Sequence, residues 1–409
     1  MKAQQSHDHH YVPQWYQRRF LLPGQTEYYC LDLQPGSYTR GSTIHRFKEV
    51  HKWGTKKCFF EENLYQLRLG SWASDEIERL FFGRVDDRGR VAVALVADYD
   101  GAVSKEFGDA ARDVITYMGA QRFRTPRGLD LIKKRAGSGH NATLQLMMDM
   151  FQMYTTIWTE CVWEIVRARQ SPTKFIVTDA PVTFYNRVMF KSDWEHPEDA
   201  DYKEIATRVL FPLGPDSCFI LTHLQLVRNP WSVPTEFRRN PRSFDHTMKY
   251  LLEIQYGREL EEDEVLRINY ILKKRATRYI AAADKAWLYP ERRVSTTDWA
   301  KLDEDWFLFP NLWKVSFTTG IMAGFNDGSA WAADEYGHHP WQREYKDERF
   351  RQKEHDTFDQ AKQEWAKKRI RKPRAHVPEF RHDSVDDRMM DEYLQQEGLM
   401  PARKKEEGT

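Results

Sequence analysis

His7-Asp8-His9-His10-Tyr11-Val12-Pro13-Gln14-Trp15-Tyr16-Gln17-Arg18-Arg19-Phe20 is the stretch from which the rest of the chain is read. It gathers imidazoles, a carboxylate, aromatic rings and two guanidinium groups within fourteen residues. Pro13 suits the first turn of a helix, where its missing N–H is no loss. A short helix over 13–20 then places Trp15, Tyr16, Arg19 and Phe20 on adjacent faces. Pro23-Gly24 ends it. Glu27 to Leu33 reads as a strand and Gln34-Pro35-Gly36-Ser37 as a turn, with further short strands at 42–47 and 56–60. The outcome is a small antiparallel sheet beside the opening stretch.

Further along, helical patterns dominate. Ser74 is a good N-cap for 75–82, with Glu78 near the capping-box position. Helices follow at 91–99, 109–121 and 129–134, with a break at Arg124-Thr125-Pro126-Arg127. The longest apolar pattern, 141–169, steps through Met147, Phe151, Tyr154, Trp158, Val162 and Ile165 and predicts a central helix whose stripe is packing. Asp149, Glu160 and Glu164 interrupt it, so it is not a membrane span. Lys174 to Thr178 is a β-branched strand, broken by Asp179-Ala180-Pro181 and resuming at 182–185. Residues 208–213 and 218–222 form a hairpin over Gly214-Pro215-Asp216-Ser217. Acidic 191–202 and Pro-rich 229–241 are loops, and 243–256 and 259–283 are helices.

These elements predict an α+β fold: a mainly helical domain over 1–290 with a small antiparallel sheet and a charged helical C-terminal extension. An aromatic-rich segment, 291–340, lies against the domain. Residues 341–409 form a charged tail, helical over 342–370 and again at 386–396.

Composition limits the function. Among 409 residues, aromatics make up 14%, enough for a large core, so global disorder is excluded. Lys+Arg 62 against Asp+Glu 61 leaves a net charge of +1, which does not by itself point to nucleic acid or a membrane. The four cysteines, 30, 58, 161 and 218, have no zinc-ribbon spacing and sit among apolar neighbours. They read as reduced and buried, and with no apolar leader segment the expected location is cytoplasmic.

Several polar residues are candidates for chemistry. His9 and His10 have the ring nitrogens of metal ligands or a general base, although such rings serve packing networks equally. Gln121, Arg122 and Arg124 close a helix and could fork onto a phosphate or carboxylate, or simply complement the helix dipole. Asp179 ends a strand beside a proline, a common place for an acid or metal ligand and equally for an Asp-initiated turn. Asn269 is polar in an otherwise apolar and basic helix and fits a site ligand or an interhelix hydrogen bond. The basic run 367–374 could meet nucleic-acid phosphates, but the acidic residues preceding it favour a salt-bridged, solvated helix.

Taken in order, these residues resemble a family. His9-His10-Tyr11-Val12-Pro13-Gln14-Trp15-Tyr16 with Arg19-Phe20 is similar to the opening signature of the bacterial "domain of unknown function 4238" proteins. Gln121 with Arg124-Thr125-Pro126 resembles that family's Gln-x-x-Arg-Thr-Pro, and Thr178-Asp179-Ala180-Pro181 its Thr-Ser-Asp-x-Pro strand end. Phe211-Pro212-Leu213, Asn269, and Glu76 or Glu78 follow in family order. Gln17 departs from the usual Leu, and the chain beyond 300 lies outside the pattern. The resemblance covers 9–290 and implies that the His pair, Gln121, Arg124, Asp179 and Asn269 belong together.

Two functions fit. One is a metal-dependent hydrolase of nuclease type cutting a phosphodiester. There His9, His10 and Asp179 hold a divalent ion, and His10, Asp179, Gln121 and Asn269 form the catalytic set. Arg124 and Arg19 bind the substrate, with nucleic acid met by Arg124 and the run 367–374. The other is a non-enzymatic binding module in which the same residues are a buried scaffold and the C-terminal tail recruits a partner. Neither involves a membrane.

Overall fold

In a computed structural model, the described residues are 8–62, 83–189, 199–238, 254–315 and 321–369, apart from 41, 103, 138–139, 325, 335, 337 and 346. The opening stretch forms a strand, β1 (Asp8–His10), then α1 (Gln14–Arg18) started by Pro13. Tyr11, Val12, Tyr16 and Phe20 are buried, which fixes the stretch to the domain. Then come β2 (Tyr28–Asp32), β3 (Ser37–Arg40), β4 (Thr43–Arg46), β5 (Val50–Trp53) and β6 (Phe60–Glu62). The strand at 27–33 is present. Within 56–60 the chain makes a 3-10 turn over Thr55–Lys57 instead and enters its strand only at Phe60.

Four helices follow: α2 (Gly83–Ala97), α3 (Lys105–Arg124), α4 (Pro126–Ala136) and α5 (His140–Thr159). Ser104 caps α3 by accepting from Phe107 N at 3.1 Å. Thr125 ends α3 and caps α4, with Pro126 at its first position. Gly89 of α2 is where Tyr117 of α3 lies: a Cβ there would stand 2.6 Å from the Tyr117 ring. That close approach sets Tyr117 over the end of α3.

The helix expected over 141–169 is the main correction. It stops at Thr159, and Cys161–Arg167 is β7. β7 is buried at every position, so its sequence carries no polar alternation and reads like a continuation of the apolar helix. β8 (Val177–Thr178), β9 (Thr183–Tyr185), β10 (Arg208–Gly214) and β11 (Ser217–His223) follow, the last two forming the predicted hairpin. Of 174–178, only the last two residues join a ladder.

Next are α6 (Leu224–Arg228), β12 (Gln255–Glu259), α7 (Glu262–Arg275) and β13 (Tyr279–Ala282). The helix expected over 259–283 is therefore shorter. A Glu261–Glu264 capping box starts it, it ends at Arg275, and its predicted last turns are a strand. Tyr256, expected at the end of a helix, lies in β12. A small hairpin, β14 (Ile321–Gly324) with β15 (Ala330–Ala333), precedes α8 (Glu348–Arg369). The expected helices at 75–82 and 386–396, most of the one at 243–256, and most of the acidic loop 191–202 lie outside the described residues.

The architecture is α+β. A five-stranded sheet runs β12-β7-β11-β10-β9, antiparallel except for the β12–β7 pair, and a four-stranded antiparallel sheet runs β5-β2-β13-β8. Neighbouring residues on these strands point to different cores. Phe219 and Leu221 join a cluster with α2 to α5 and the opening stretch, whereas Cys218 and Ile220 join a cluster with α7. β2 is shared likewise, with Cys30 in the first and Leu31 in the second. Trp299, Leu302, Phe307 and Leu308 complete the second core, and buried Arg208 holds that segment through Asp303 at 2.5 Å.

A third cluster joins α6, Phe309 and Leu312 to Phe358, Ala361, Trp365 and Ala366 of α8. The charged helix thus has one apolar face against the domain and the other in water. Trp365→Ala should lower stability by about 3 kcal/mol, the usual loss for a buried Trp. Denaturant unfolding measures this, and limited proteolysis should then cut α8 before the core.

Candidate functional site

Helix α3 ends with every residue from Tyr117 to Arg124 buried. Such a helix end has no water for its polar side chains, so each needs a protein partner. Gln121 Nε2 donates to Tyr11 O at 2.8 Å, which ties α3 to the opening stretch. Gln121 Oε1 accepts from Arg124 Nε at 2.6 Å and from the Tyr117 hydroxyl at 3.3 Å. Arg124 reaches Asp86 of α2 at 2.8 Å and lies over the Tyr117 ring. Gln17, fully buried, donates to Val12 O at 2.7 Å and Cys58 O at 3.2 Å, and the Tyr28 hydroxyl donates back to it. The Gln17 amide closes the turn of the opening stretch. The Tyr16 hydroxyl donates to Pro212 O, and Arg19 Nε to Leu213 O at 2.6 Å, so α1 is fastened to β10.

His10 lies half-buried beside Phe60, its Nε2 3.3 Å from Lys56 O. His9 faces Glu61 in the β1–β6 ladder. Asp179 is buried and turned elsewhere. Its carboxylate accepts from the backbone N–H groups of Thr277, Arg278 and Tyr279 at 2.9, 2.5 and 2.9 Å. Burial pushes this carboxyl up, while those three bonds and Arg127 oppose the shift. Asn269, fully buried in α7, acts on the segment that leads into β8. Its Oδ1 accepts from Ile176 N at 3.2 Å and its Nδ2 donates to Lys174 O at 2.8 Å. Asp179 and Asn269 together dock the α7–β13 unit on the segment 174–179.

Five of the residues fall into two groups, while His9 and His10 stand on the β1–β6 ladder and Arg19 bonds to β10. Tyr11, Gln121 and Arg124 share one network, and Asp179 and Asn269 make the second. They adjoin at Tyr11, whose phenol is raised by burial and then by the Asp179 charge.

Residues 129–286 match the family model described as Protein of unknown function (DUF4238). Over that stretch the resemblance holds. The opening motif and Gln121 to Pro126 precede it, whereas Asp179 and Asn269 lie inside it. No curated protein and no solved structure matches the chain.

Sequence reasoning missed several buried groups. Arg122, read as either an anion contact or a helix-end cation, pairs with buried Asp199, which Arg275 also holds. Burial alone would raise Asp199, but Arg275, Arg122 and Arg127 keep it below the usual carboxylate range. Asp86 is the acid that meets Arg124, whereas Glu76 and Glu78 lie outside the described residues. His223, closing β11, gave no signal because it belongs to no motif. Of the basic run, Lys367, Lys368 and Arg369 meet Glu364, Asp305 and Glu264, and 370–374 lie outside the described residues. No helix among the described residues is long and apolar enough to cross a membrane.

His223 supplies a pH prediction. Its Nε2–H donates to Tyr202 O at 2.8 Å, and burial pulls its pKa from 6.5 to about 4. The unfolded chain then binds a proton before the folded one does. Stability from this group is present above 6.5 and is lost as pH falls toward 4. His223→Gln should flatten that part of the stability–pH curve, as followed by urea unfolding at each pH.

Proposed function

We propose that the chain is a non-enzymatic binding module in which the polar residues of the candidate site are scaffold. The observation that carries this reading is how Asp179 is occupied. A metal-binding or water-activating carboxylate presents its lone pairs to an open site. The Asp179 carboxylate is instead buried, and three of its roughly four lone-pair directions accept backbone N–H groups at 2.5 to 2.9 Å. Gln121, Arg124, Asn269 and Arg19 are similarly bonded to protein groups. A phosphodiester hydrolase built on these residues would have to break those bonds to admit an ion and a phosphate. Among the described residues, no group of three or more His, Cys, Asp or Glu side chains is arranged to hold a metal ion.

Among the described residues, a cleft of about 190 Å³ lies between α6, residues 229–236 and α8. Gln225, Asn229, Ser232, Glu236, Lys353 and Glu354 give it a polar lining of mixed charge, with Tyr336 and Phe350 supplying ring faces. That combination fits a polar side chain of a partner protein. A nucleic-acid partner at the end of α8 would have to displace the carboxylates that hold Lys367, Lys368 and Arg369.

The test separates scaffold from metal site. Asp179→Asn turns an acceptor into a donor facing a backbone N–H, so it should cost about 1–3 kcal/mol of stability. The loss should be the same with and without millimolar Mg²⁺, Mn²⁺ or Zn²⁺. Calorimetry on the unmodified chain should show no metal binding that His10→Ala or Asp179→Asn removes. Metal binding lost in a folded Asp179→Asn variant would overturn the scaffold reading.

A further inference from the structure

Cys30 and Cys58 are the residues whose chemistry the scaffold does not use. Their sulfurs stand 2.8 Å apart, with both side chains almost wholly buried. That is close for two thiols and needs little movement to reach the bonded separation of about 2.05 Å. The other two cysteines are engaged elsewhere: Cys161 Sγ lies 3.2 Å from the Tyr202 hydroxyl, and Cys218 Sγ points to Phe219 O.

The two positions differ in how they are held. Cys30 sits inside β2, opposite His51 on one side and Ala281 on the other, with ladders on both edges. Cys58 lies on the short connection between the Thr55–Lys57 turn and β6. Its neighbours Lys56 and Lys57 face solvent, and Phe59 after it has φ 54°, a left-handed backbone that few non-glycine residues adopt. Cys58 is held there by the Gln17 Nε2–Cys58 O hydrogen bond, whereas Cys30 is held by the ladders of β2, so opening the connection would break the former and leave the latter paired.

We propose that Cys30 and Cys58 are a redox pair that closes into a disulfide when the oxidant is a small-molecule disulfide such as oxidised glutathione. Cys58 is the entry thiol and Cys30 the resolving one. The Cys58 thiolate attacks one sulfur of the oxidant, forming a mixed disulfide and releasing one reduced thiol. The Cys30 thiolate then attacks the Cys58 sulfur and releases the second. Both protein protons leave on the two small thiols, and the two electrons go to the oxidant. The link spans 30–58, a loop containing β3, β4 and β5, and its closure removes conformational freedom from the unfolded chain. It also ties the connection leading into β6, and so the β1–β6 ladder bearing His9 and His10, to the four-stranded sheet.

The experiment uses the full chain in glutathione buffers of increasing oxidised fraction, both as the native protein and during refolding from urea. Samples are denatured, alkylated and digested without reductant. The expected result is that two of the four thiols disappear. The peptides containing Cys30 and Cys58 should be joined, and the chain should be lighter by two hydrogen atoms. A Cys161→Ser/Cys218→Ser variant should behave identically, and Cys30→Ser should stop at a glutathione adduct on Cys58. Four remaining thiols under both regimes, a link through Cys161 or Cys218, or a persistent adduct on Cys58 in the unmodified chain would each overturn the proposal.

Discussion

The Asp179 carboxylate grips three successive backbone N–H groups, those of Thr277, Arg278 and Tyr279, just where α7 gives way to β13. Buried carboxylates are costly unless their lone pairs are filled, and amide donors fill them well. That single contact lets the chain leave a helix at Arg275 and enter a strand at Tyr279 across a turn whose Arg278 side chain is exposed. β13 then sits between β2 and β8, so the N-terminal strands and the short strand just before Asp179 share one sheet. Asn269, two turns back along α7, holds the same segment through Lys174 and Ile176. Both residues fall within 129–286, where the chain resembles the family of unknown function, and both do the same mechanical work.

The second layer of organisation is the end of α3. Arg124 and Arg122 leave the same helix turn toward different acids, Asp86 of α2 and Asp199 of the segment after β9. Gln121 links the first of these to Tyr11. The opening stretch is therefore read by the core through its backbone carbonyls and aromatic rings: Tyr16 stacks on Phe211 with ring centroids 5.5 Å apart. His10, the residue that first drew attention, lies at the edge of this arrangement, beside Lys56 and Phe60.

Much of this was legible in the sequence, and the failures have physical causes. Pro13, Pro126 and the Gly214–Ser217 turn marked real boundaries because their backbone restrictions are local. β7 was hidden because a strand covered on both faces has no alternation, and β13 because it follows a helix without a Gly or Pro stop. The stop is supplied by Asp179, ninety-eight residues earlier than Thr277 in the chain. The membership of the candidate site was partly readable from motif order. Its partners were not, since Asp86, Asp199 and Tyr28 belong to no motif and meet their arginines and amide only after folding.

Amide hydrogen exchange at Thr277, Arg278 and Tyr279 tests the central claim most directly. If Asp179 holds the α7–β13 turn as a structural clip, these three amides exchange only with the slow core amides of β7 and β11, through global unfolding. Exchange at the rate of exposed loops, with β7 and β11 still protected, would show that the clip opens in the native state and would contradict the account.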